Sequence, residues 1–117
     1  MQQVQANPFD REEMLERLGG DTDLLADVLQ VFLEECPRMF EEVRCAVDEG
    51  DSNLVRRSAH SMKGALLNIS AAPAAAEASR LEVLGSEDRI DDAVPALERL
   101  RREIDRLQHA LAGQTSG

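Results

Sequence analysis

The apolar residues of the stretch 52–70 recur at Val55, Ala59, Met62, Leu66 and Ile69, in steps of 4, 3, 4 and 3. A strand alternates with period two, so this spacing fits a helix laid along a seam between other helices. A second segment repeats the pattern: Val94, Leu97, Leu100, Ile104, Leu107 and Leu111 step by 3, 3, 4, 3 and 4, with Pro95 acceptable in an opening turn. Strand formers are scarce, with no Trp or Tyr and only three Phe, and 117 residues suffice for a single core.

Local punctuation divides the rest. A short helix is expected from Asp10 to about Leu18, stopped by Gly19 and Gly20, with Asp21 or Thr22 capping the next. That next segment carries Leu25, Val28, Leu29 and Phe32 at helical spacing. Pro37 removes a backbone donor, so the helix is expected to kink or restart there before Phe40, Val43 and Val47 continue the stripe to Gly50. Asp51 or Ser52 caps the following helix. Pro73 suits the first turn of another, lined by Ala74, Ala78 and Leu81 and stopped by Gly85. The expected fold is all-α: an up-and-down antiparallel four-helix bundle over residues 9–112 with a short additional N-terminal helix. Polar residues 1–8 and the linker-like 113–117 (GQTSG) read as flexible tails.

Charge narrows the function. With 23 acidic against 13 basic side chains, a net charge of -10, the chain repels a phosphate backbone and an anionic membrane. Neither a spanning segment nor a signal peptide is apparent, so a cytoplasmic chain is expected. Cys36 and Cys45, nine apart and without CxxC spacing, indicate neither a disulfide framework nor a zinc site.

One surface departs from the rest. At about 100° per residue, His60 falls roughly opposite the 52–70 seam, with Asn53, Arg56, Arg57, Gly64, Leu67 and Asn68 on the same outward side and Lys63 at its flank. Between Ser52 and Ala76 there is no acidic residue, so Arg56, Arg57 and Lys63 form a positive patch suited to a small dianion such as a phosphoryl group. Gly64 costs about 1 kcal/mol relative to alanine inside a helix and leaves room beside the imidazole. Leu67, with Ala71 a turn beyond, reads as part of a docking surface. A neutral imidazole nitrogen is a good nucleophile near neutral pH while the other nitrogen fixes the tautomer. The chain has no nucleotide-binding loop, and the other histidine, His109, lies near the C-terminal end. Phosphate on His60 must therefore come from a partner.

The segment Ala59-His60-Ser61-Met62-Lys63-Gly64 resembles the AHxxKG core of the histidine-containing phosphotransfer (HPt) family. The likeness extends to Arg17-Leu18-Gly19-Gly20-Asp21, Phe32, Pro37, Gly50-Asp51, Asn68 and Leu81-Glu82. The resemblance implies that His60 Nε2 attacks the aspartyl phosphate of a receiver domain and returns the group to another receiver. It implies that Lys63, with Arg56 or Arg57, neutralises phosphate oxygens and that Glu82 orients the imidazole. Leu67, Asn68 and Ala71 are the expected docking residues. No cofactor is expected on this chain, Mg²⁺ being supplied by the receiver. The expected partners of this monomer are response-regulator receiver domains and a sensor histidine kinase. The family often has a second glycine ten residues after the histidine; here Ser70 stands in its place, which leaves open how closely a partner approaches that end. A helical docking module without chemistry at His60 is the competing reading, against which the intact His60, Lys63 and Gly64 set argues. A metal-binding bundle is poorer still, since His60 with Glu82 supplies too few ligands.

Overall fold

Three aspartates start three helices. Asp10, Asp21 and Asp51 each accept, at 3.0 Å, the backbone N–H three residues on, from Glu13, Leu24 and Leu54. Each such cap is worth about 1 kcal/mol. The computed structural model describes residues 7–115 and contains α1 (Arg11–Arg17), α2 (Thr22–Glu49), α3 (Ser52–Asn68), α4 (Ala72–Ser86) and α5 (Ile90–Thr115). The described residues include no strand. Gly50, at φ 68°, takes the left-handed conformation that closes α2.

The chain is all-helical. α3 packs between α2 and α4, and α5 packs against both α4 and α2, so the four long helices enclose one core, with α1 resting on α2. The α3 stripe is buried throughout, from Val55 through Ala59, Met62 and Leu66 to Ile69 at the cap. Sharing its core are Leu25, Leu29, Phe32, Cys36, Val43 and Val47 of α2, Ala78 and Leu81 of α4, and Leu100, Ile104, Leu107 and Leu111 of α5. Among the described residues no helix is long and apolar enough to cross a membrane.

Four expectations need correction. α2 does not restart at Pro37 but is one helix through it. Its buried residues stay in phase on both sides, Phe32 and Cys36 before and Val43 and Val47 after, and this packing outweighs the missing hydrogen bond. The α5 seam begins at Ala93 and Ala96, while Val94 is 58 % exposed. Two successive steps of three carry position 94 about 120° away from Leu100, whereas 93 lies within about 20°. α5 also continues through Gly113 to Thr115, where composition suggested a tail. Residues 1–6 of the expected N-terminal tail lie outside those described.

Gly85 is the fourth. It does not stop α4, which continues to Ser86; it is buried in the last turn against α3. A Cβ there would lie 2.7 Å from the Arg56 backbone nitrogen and 2.8 Å from the Ser52 carbonyl oxygen. Both neighbours are backbone and cannot swing aside. The Ser52 hydroxyl also bonds to the Asp88 carboxylate, tying the start of α3 to the turn after α4. Gly85→Ala is therefore expected to destabilise the protein by about 1–3 kcal/mol, the usual cost of overpacking. Its thermal transition measures this, and an unchanged midpoint counts against close α3–α4 contact.

Candidate functional site

The site is built across α3 and α4. The α3 seam faces inward, which turns His60 outward: its side chain is 65 % exposed. From α4, Glu82 follows the buried Leu81 and reaches back across the interface. Its Oε2 lies 2.9 Å from His60 Nδ1. The Lys63 ammonium lies 2.7 Å from the other oxygen, Oε1. That oxygen is buried, and at this distance the ammonium is its charge-assisted partner. One carboxylate thus bridges the histidine and the lysine that stand three residues apart on α3.

The Lys63 ammonium, and after it the His60 bond, hold the Glu82 carboxyl below the usual carboxylate range, against the opposing effect of partial burial. Glu82 is therefore ionised at neutral pH and can only accept, so the bond requires the proton to sit on His60 Nδ1. In the neutral ring this places the lone pair on Nε2. A depressed carboxyl stabilises the fold fully above its unfolded pKa, and the contribution is lost as pH falls through the lower folded value. The corresponding acid-side loss of stability is expected to disappear in Glu82→Gln; urea melts of both proteins across the acid range check this, and superimposable pH profiles would count against the bridge.

The predicted residues divide. His60, Lys63 and Glu82 come together. Arg56 instead donates to Asn53 Oδ1 at 2.8 Å. Arg57 lies on the other flank of α3, lining a groove with Glu41, Glu42, Cys45 and Ser61 of α2 and α3. Gly64 is exposed, and a Cβ built on it meets nothing within 4 Å, so helix packing does not account for it. Leu67 is 52 % exposed and Asn68 is exposed beside a groove lined by Val28, Val31, Met39 and Ala65. Ala71 is a correction: it is fully buried and belongs to the core. α3 ends at Asn68, and Ser70 turns the chain with φ 61°, so the helical wheel that placed Ala71 outward no longer applies. Ser70 is itself 5 % exposed, so its side chain does not obstruct a partner at the surface.

Both cysteines are free. Cys36 is buried in the core, and burial pushes its thiol up to about 11. Among the described residues no group of three or more His, Cys, Asp and Glu side chains is placed to hold a metal ion.

Sequence reasoning missed Arg17 as a structural contact. Its guanidinium reaches from α1 to the end of α3. The available signal was that α3 carries no basic residue in its own last turn.

A family model described as "Hpt domain" matches residues 27–110, a range that holds His60, Lys63, Gly64 and Glu82 and begins after α1. No curated protein and no solved structure matches the chain.

Proposed function

The chain belongs to the Hpt domain family, and on that premise we propose that His60 takes a phosphoryl group from the aspartyl phosphate of one receiver domain and delivers it to the aspartate of another. The family serves histidine phosphotransfer in two-component phosphorelays, as phosphocarriers that meet receiver domains. The observation that carries the reading for this chain is the His60 Nδ1–Glu82 bond on an exposed imidazole.

In this reading Nε2 attacks phosphorus in line with the bond to the aspartyl oxygen. The P–N bond forms as the P–O bond breaks, and the aspartate leaves as a carboxylate. Glu82 keeps the Nδ1 proton in place and balances the positive charge that phosphorylation puts on the ring. Lys63, a partner of Glu82 before transfer, turns to the phosphoryl oxygens after it in this reading, with Arg56 and Arg57 adding positive potential. The receiver brings Mg²⁺ and most of the transition-state stabilisation. Gly64 leaves space for its backbone, and Leu67 and Asn68 offer the docking contact. We extend the proposal to a cytoplasmic monomer with the four long helices in up-and-down order, phosphorylated through receivers linked to a sensor histidine kinase.

Incubation with phosphorylated receiver domains, followed by mass analysis, tests the proposal. Acid-labile phosphate on His60 is the expected result, and none from any receiver would overturn it.

A further inference from the structure

The last turn of α3 ends in carbonyls with partial negative charge, and α3 supplies no basic side chain there to meet them. The cation comes from another helix. Arg17 Nη2 lies 3.3 Å from the Leu67 carbonyl oxygen, 3.2 Å from that of Asn68 and 2.5 Å from the Ser70 hydroxyl. Ser70 adopts a left-handed φ of 61°, disfavoured for any residue with a Cβ, and its side chain is buried. Without Arg17 that hydroxyl would lose this bond inside the protein. The start of α1 grips the same corner, since the Asp10 N–H donates to the Ser70 carbonyl at 3.0 Å and Phe9 is buried beside it. The turn held in this way presents the exposed Leu67 and Asn68 side chains.

We propose that Arg17 is a positioning residue for receiver docking: from α1, outside the region matched by the family model, it holds the last turn of α3 in the shape a receiver meets. The proposal rests on the phosphocarrier reading above. Arg17 touches neither the imidazole nor its partners, so its loss affects docking and spares the chemistry.

Arg17→Gln is expected to raise the receiver concentration for half-maximal transfer about tenfold, the scale of a lost charge-assisted hydrogen bond. Transfer at saturation, and His60 phosphorylation by phosphoramidate, which needs no docking, should stay within about twofold. Hydrogen exchange at the Ile69, Ser70 and Ala71 amides should quicken, a readout that needs no partner. Ser70→Gly removes both the hydroxyl and the disfavoured conformation, and in that background Arg17→Gln should cost about threefold or less. The double variant also carries the comparison if Arg17→Gln alone unfolds. Parental exchange rates in Arg17→Gln would overturn the proposal, as would faster exchange with an unchanged half-saturation. Failure of the unaltered protein to take phosphate from phosphoramidate would instead count against the phosphocarrier reading, and the exchange arm would still decide whether Arg17 holds the turn.

Discussion

His60→Gln is expected to fold with the parental melting curve and to accept no phosphate from any receiver. The imidazole is 65 % exposed and makes one side-chain bond, to Glu82. A polar replacement at such a surface position usually changes stability by less than about 0.5 kcal/mol. The loss of function is complete because a glutamine amide has no nucleophilic nitrogen comparable to Nε2. His109 is the internal control. Its Nδ1 is 2.9 Å from the Asp105 carbonyl oxygen, which also requires the proton on Nδ1. Yet it lacks the arrangement around His60, in which a carboxylate, a lysine and a glycine occupy fixed places. Mass analysis of the variant after incubation with phosphorylated receivers checks the expectation. Undiminished labelling would refute the assignment, and phosphate on His109 would move it to α5.

Gly64 separates folding from function. Because an added Cβ meets nothing within 4 Å, Gly64→Ala should stabilise the isolated protein by up to about 1 kcal/mol through helix propensity. The longer Gly64→Gln should also fold, its side chain having open solvent to occupy. Transfer is where it should fail. Position 64 is one helical turn beyond His60 on the outward face, the side from which the proposed receiver would approach for in-line attack. Misplacing the reacting atoms by about 1 Å can cost roughly a hundredfold in rate, and a loss of that order is expected for Gly64→Gln. Melting curves and single-turnover transfer rates on both variants settle it. A Gln variant that unfolds would return Gly64 to a packing role, and one that transfers at the parental rate would remove the steric argument.

The helices, their caps and the outward histidine were legible because each depends on local rules. Asp10, Asp21 and Asp51 announce three starts, and the 4-3-4-3 stripe fixes which side of α3 faces the core, hence where His60 points. What escaped reading depends on surfaces brought together by folding. Gly85 sits near a helix end, where glycine usually terminates, and nothing local tells that its missing Cβ makes room for the Arg56 backbone. Ala93 and Ala96 are small, so the larger Val94 and Leu97 dominated the apolar pattern although Val94 is exposed. Ala71 was misplaced by extending a helical wheel past the residue where the helix ends. Glu82 was expected as the partner of His60 by family resemblance, but its second contact, to Lys63, needed the distance between two helices, and periodicity within one helix carries no such distance.

That distance bears on whether the acceptor is portable. Gly85 meets α3 at Arg56, and Glu82, one turn earlier on α4, meets α3 at His60, one turn later, so the two contacts are successive rungs between the same pair of helices. The first rung sets the gap that the glutamate side chain spans at the second. An acceptor helix grafted alone into another scaffold would bring the imidazole and leave behind the ruler that places its partner. The smallest transplantable unit is the α3–α4 hairpin through Gly85, and a host with a bulkier residue at that position would need a different side chain at position 82 to reach the ring.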